Sequence, residues 1–164
     1  MGSILHRLPI VNSAMGIIHN PNPKILMTNY QKLLSIRTVG KSLQPITAQV
    51  QSVVTASGVT TGICHLFLRH TSASLTIQEN ADPDVLEDLA NFFAKLVPEG
   101  NHYIHSTEGA DDMPAHIRTV LTKTSEQIPI NRGHLALGTW QAIYLWEHCQ
   151  VSHTRELVVH IMGE

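Results

Sequence analysis

QIPINRGHLALGTWQAIYLWEHCQVSHTRELVVHIM, residues 127–162, decides the fold. Residues 127–130, 134–137, 141–148 and 155–162 are short runs rich in aliphatic, β-branched and aromatic residues, parted by turn residues. Such runs read as strands, because a pleated chain packs wide side chains on alternating faces. Residues 133–148 read as a hairpin-like pair about Gly138-Thr139. In the second of these strands Gln141, Ile143, Leu145 and Glu147 share one face. A carboxylate at the end of an apolar face needs a partner, such as Arg155, a metal or a neighbouring subunit.

Helices precede this block. A helix starts near Asp112 and Pro114, with Ile117, Val120 and Leu121 on one side. The clearest helix has Asp82 as N-cap and Pro83 in its first turn. Its apolar residues are Val85, Leu86, Leu89, Phe92, Phe93 and Leu96, and it stops at Pro98-Glu99-Gly100. Further back, 74–78 and 62–69 read as strands, 46–54 as a helix with Thr47 as N-cap, and 30–38 as a strand. Runs of strands with segregated helices indicate the α+β class.

Composition narrows the function classes. The 164 residues suit one domain, and no apolar run reaches the ~20 residues needed to span a bilayer. Residues 1–78 carry six Lys or Arg and no acid, whereas 79–164 carry five Lys or Arg and all 13 acids. The basic residues form no run, so nucleic acid is not an expected partner. Charged residues make up only 15% of the chain, which points to surface covered by subunit contacts. Cys64 and Cys149 each lie in an apolar stretch outside any CxxC, so reduced thiols and a cytoplasmic setting are expected. Residues 1–26, with the turn-rich NPNP at 20–23, read as a flexible extension ahead of a domain at 27–164.

Two polar clusters carry the chemistry. HYIHSTEGADDMPAH, residues 102–116, mixes histidines with Glu108, Asp111 and Asp112. Imidazole and carboxylate together make a divalent-metal or acid/base site. His116 lies in the first turns of its helix, where free amides favour a neutral imidazole, and Asp112 is its helical neighbour. Gly109 lets the chain turn so that His105 approaches. His70 ends a strand, and His70, His105 and His116 together suit a catalytic zinc-type site with an open position. RHTSASLTIQENADPD, residues 69–84, adds Arg69 and the hydroxyls of Thr71, Ser72 and Ser74, which suit phosphate oxygens. Glu79 stands beside Asn80 at the next helix start and can serve as base or metal ligand.

HTSASLTIQENADPDV from His70, HSTEGADDMPAHIRTVL from His105, GHLALGTWQAIYLWEH from Gly133 and the closing MGE resemble the YjbQ-like family, often labelled secondary thiamine-phosphate synthase. The resemblance covers 27–164, and Gln78 and Ala110 depart from the family's Asn and Pro. It implies a compact two-layer α+β fold, with a mixed, mostly antiparallel sheet and two to three helices, assembled as a homotrimer. It also implies an activity joining a pyrimidine diphosphate to a thiazole phosphate. On that basis His70, His105 and His116 hold a divalent metal, with zinc or nickel favoured by imidazole and magnesium by pyrophosphate chemistry. Arg69, Thr71, Ser72, Ser74, Asn80 and Thr139 contact the phosphorylated substrate, and Glu79 and Glu147 serve as acid/base or supporting groups. A non-catalytic metal- or ligand-binding trimer and a metal-dependent phosphate or ester hydrolase use the same groups.

Overall fold

The computed structural model describes residues 27–100 and 102–164. Its elements are β1 Thr28–Arg37, β2 Ser42–Pro45, α1 Thr47–Ser57, β3 Thr61–Leu68, β4 Ala73–Glu79, α2 Pro83–Leu96, α3 Asp112–Leu121, β5 Ser125–Asn131, β6 His134–Leu135, β7 Gln141–Glu147 and β8 Thr154–Gly163. The fold is α+β, as the order of strand and helix patterns implies. The expected extension at 1–26 lies outside the described residues.

The strands form two sheets rather than one mixed sheet. One has the order β1-β8-β3-β5-β6 and the other β2-β7-β4, and every strand pairing among the described residues is antiparallel. Leu66, Leu68, Leu157, Val159 and Ile161 of the larger sheet share one core with Leu75, Ile143 and Leu145 of the smaller sheet. Helix α1 adds Val50, Val53 and Val54. Strands β3 and β8 approach closely at Gly62 and Gly163. A Cβ built on Gly62 would lie 2.1 Å from the Met162 carbonyl oxygen, so this register demands glycine.

The expected hairpin about Gly138-Thr139 does not form. The two-residue β6 pairs with β5, and the chain then crosses to the second sheet, where β7 is the central strand between β2 and β4. A central strand is covered on both faces, so Ala142 through Glu147 are all buried, not only the face carrying Ile143, Leu145 and Glu147. Thr47 is the first residue of α1 rather than its N-cap. Its hydroxyl instead accepts from the Ile143 amide at 2.8 Å and ties α1 to β7. Asp82 does cap α2, accepting from the Asp84 amide at 2.9 Å, with Pro83 at the first position.

Among the described residues, no helix covers the outer face of the five-stranded sheet. Leu33, Ile63, Phe67 and Met162 remain 43–46% exposed there. Helix α2 buries none of its residues fully, and Phe92 and Leu96 are more than half exposed.

Candidate functional site

Helix α3 delivers the first cluster. Gly109, at φ +124°, turns the chain just before it. That turn brings His105 back over the first turn of α3, where its Nε2 lies 2.8 Å from Asp112 Oδ2. His116, one turn further along, places its own Nε2 3.4 Å from the same oxygen. Ligand atoms of all three residues lie within 4.8 Å of one another.

The partners of His116 assign its tautomer. Its Nδ1 lies 2.9 Å from the Thr71 carbonyl oxygen, which can only accept, so Nδ1 carries the proton. In the neutral ring Nε2 then presents a lone pair to a carboxylate oxygen. Asp112 Oδ2 is itself buried, and the His105 contact lacks hydrogen-bond geometry, so that oxygen has no hydrogen-bond donor among the described residues. Lone pairs that converge on a buried point are repulsive until a cation, metal or proton, lies between them. The donor set of two imidazoles and a carboxylate therefore fits a divalent metal. A backbone carbonyl orienting one imidazole is the usual support for such a ligand.

His70 is not brought into this cluster. Its Nε2 accepts the Glu156 backbone N–H at 2.7 Å, so that lone pair is committed. Burial, reinforced by the Arg155 charge, pulls its pKa below the usual imidazole range, which keeps the ring neutral. It instead lines a cleft of about 960 Å³ with Arg69, Thr71, Ser72 and His116. The loop after β3 thus joins the cleft to α3, through the Thr71 carbonyl. Arg69, about half exposed, pairs with Glu156 at 2.9 Å.

Glu147 is fully buried and fully partnered. Arg155 grips it through Nε to Oε2 at 2.7 Å and Nη2 to Oε1 at 2.5 Å. The Thr38 hydroxyl and the Cys149 amide also donate to it, at 2.8 and 3.0 Å. Burial alone would raise its pKa, but these donors and the Arg155 charge hold it below the usual carboxylate range. Of the partners open to Glu147 from sequence, the structure selects Arg155. A carboxylate this well bound keeps its charge, so of the acid/base and supporting roles expected of it the geometry suits the supporting one. Glu147, Cys149 and His153 also offer closely spaced ligand atoms. There the Arg155 guanidinium already serves as the cation, and its Nη2 lies 3.6 Å from Cys149 Sγ.

Three expected contacts, Ser74, Asn80 and Thr139, and the expected acid/base Glu79 lie elsewhere. Ser74 is fully buried, and its hydroxyl is 2.9 Å from His148 Nε2. Glu79, Asn80 and Thr139 sit at the far end of the smaller sheet. Ala73 pairs with Glu147 at one end of β4 and Glu79 with Gln141 at the other, about 20 Å away at strand rise. The Asn80 amide donates to the Trp140 carbonyl, and the Thr139 side chain is exposed.

His148 gives a pH prediction. Burial, then the Arg118 charge, lowers its pKa to about 3, while Glu147 opposes and Arg155 adds to the fall. The folded state therefore refuses a proton that the unfolded chain takes near 6.5. Stability is full above that value and is lost as pH falls from 6.5 towards 3. At pH 5 the loss from this group is about 2 kcal/mol. Urea midpoints of wild type and His148→Phe should differ in pH slope across this window; parallel curves would refute the assignment.

Asp112 as a metal ligand and Arg155 as a neighbour of His70 are the site roles that the sequence left unassigned. Asp112 stands four residues before His116, a spacing that signals contact, but the same spacing serves helix-start electrostatics equally well. No local signal marks Arg155 as a neighbour of His70, since β8 reaches β3 only through sheet pairing.

Residues 32–164 match the model of a protein family described as UPF0047 protein YjbQ-like. A UPF0047 protein of Synechocystis is 65% identical over 136 residues, covering 82% of this chain and 92% of that protein. The YjbQ protein of Escherichia coli is 39% identical, covering 82% of this chain and 99% of its own length. Among solved structures, a YjbQ/UPF0047 family protein from Clostridium acetobutylicum is similar with a TM-score of 0.71 at 38% identity, covering 80% of this chain and 98% of that one. A protein described as YbjQ-like and of unknown function, from Sulfolobus solfataricus, gives 0.78 at 27% identity, covering 85% and 100%.

Proposed function

Because the chain belongs to the YjbQ-like UPF0047 family, we propose that it is a metal-assisted enzyme for a small phosphorylated metabolite, with His105, Asp112 and His116 holding the cation. The observation that carries this reading is the convergence of the His116 lone pair on the buried Asp112 Oδ2, which has no donor among the described residues. Imidazole-rich sets favour zinc or nickel over magnesium. When bound, a divalent cation offsets negative charge on a phosphate or pyrophosphate leaving group. The chain's own residues do the rest. Thr71 fixes the His116 ring, and the Glu147–Arg155 pair holds the cleft wall at Ser72, whose carbonyl lies 3.5 Å from Arg155 Nη2.

The resemblance makes joining of a pyrimidine diphosphate to a thiazole phosphate the first reaction to assay. Zinc-loaded wild type should form thiamine phosphate from that pair, and His116→Ala should not. Equal product from both would end the metal-assisted reading of this activity. Buried Cys64 and Cys149, both free thiols, fit action in the cytoplasm.

Assembly as a homotrimer belongs to the same proposal. The exposed Leu33, Ile63, Phe67 and Met162 on the uncovered sheet supply apolar surface for subunit contact. In that assembly Asn80 and Thr139 contact substrate, and Glu79 serves as acid/base, where a neighbouring copy brings them to the cleft. Light scattering should give about three times the 18.1 kDa chain mass, and a monomer at micromolar concentration would refute it.

A further inference from the structure

Beside the proposed cation site, His70 on the cleft wall and the buried Arg155 behind it present two hydrogen-bond donors that meet no acceptor among the described residues. The Glu156 backbone N–H can only donate, and it donates to His70 Nε2 at 2.7 Å. The proton of neutral His70 is therefore on Nδ1. That atom lies 3.5 Å from Arg155 Nη1, which is also a donor. Two N–H groups cannot bond each other, so this contact is a gap between donors rather than a bond.

Arg155 is 96% buried, being only 4% exposed. Its Nε and Nη2 are spent on Glu147, with Nη2 also near Cys149 Sγ and the Ser72 carbonyl. Among the described residues Nη1 meets no acceptor, only His70. A guanidinium held this rigidly cannot turn to find one. His70 opens onto the cleft shared with Thr71, Ser72 and His116. We propose that His70 Nδ1 and Arg155 Nη1 form an oxyanion subsite, which takes one phosphate or carboxylate oxygen of a substrate lying in this cleft. The inference rests on the cleft being the functional site, but does not need the metal. It gives His70 the part of a donor to substrate, and it makes Glu147 the group that aims Arg155. The neutral state that burial and Arg155 impose on His70 agrees with this part, since a neutral ring keeps a single, fixed N–H.

The test uses the full chain dialysed against EDTA, with inorganic phosphate and acetate titrated separately in a calorimeter. Phosphate binding to metal-free wild type is expected, weakened about tenfold in His70→Phe, the loss of one directed hydrogen bond to an anion. His105 lies outside the cleft lining, so His105→Ala should lose zinc yet bind phosphate as wild type does, which separates this subsite from the cation site. Tighter binding of acetate than phosphate, with the same dependence on His70, would place a carboxylate there instead. Should the phenylalanine variant not fold, the ¹⁵N spectrum of wild-type His70 gives the answer, because the bound anion must shift the Nδ1 resonance. No anion binding by wild type, equal affinity in His70→Phe, or an unmoved Nδ1 signal would each overturn the proposal.

Discussion

His116→Ala is expected to strip most bound zinc from the protein while leaving its melting temperature within a few degrees of wild type. Removing one of three ligands from a small site costs several orders of magnitude in affinity, since the remaining two no longer enclose the ion. The fold loses little, because the His116 side chain is 31% exposed and its one protein bond is to the Thr71 carbonyl. His105→Ala should behave alike, its side chain being 46% exposed and outside the core. Asp112→Asn is the more informative change. It keeps the shape, and its amide can donate where the carboxylate only repels, so the apo protein should be slightly more stable and the metal-loaded form much weaker. Metal content by atomic emission and melting curves with and without EDTA check all three. Full metal content in both histidine variants would remove the cation site from α3.

Glu147→Gln is expected to produce the largest loss of stability, about 3–5 kcal/mol, the range for breaking a buried ion pair from one side. Arg155 would be left with its charge buried and half its acceptors gone, while Cys149 and Thr38 lose their anionic partner. The double change Glu147→Leu with Arg155→Met should recover much of this stability, because no uncompensated charge remains. It should nevertheless abolish the anion binding assigned to Arg155. Chemical denaturation of the two variants, with phosphate titration of the double variant, separates these outcomes. A Glu147→Gln loss below 1 kcal/mol would mean that the pair is not the clamp described.

The α2 helix was legible because its start is written locally: Asp82, Pro83 and a regular apolar stripe need no knowledge of the rest of the fold. The strand β2 was not, since SLQP is four residues long, half polar and ends in proline. It exists because it forms the outer edge of the smaller sheet against β7. The hairpin expected about Gly138 failed for a related reason. Local turn chemistry shows that the chain bends, but not that the next strand leaves for a second sheet. In the site, His105 and His116 were legible as a pair because only one short loop and a helix turn part them. The place of His70 was not, because it is set by a backbone amide 86 residues away in β8. Ser74 read as a phosphate contact from its hydroxyl neighbours. Strand alternation instead points it away from the core face of Ala73 and Leu75, where it is buried against His148.

The measurement closest to the central claim is anomalous diffraction at the zinc edge, from crystals of protein purified without chelator and soaked in zinc. The account predicts one strong peak within about 2.0–2.2 Å of His105 Nε2, His116 Nε2 and an Asp112 carboxylate oxygen, with His70 still bonded to the Glu156 amide. A peak held by His70, or at Glu147, Cys149 and His153 with Arg155 displaced, or no peak on α3, would contradict it.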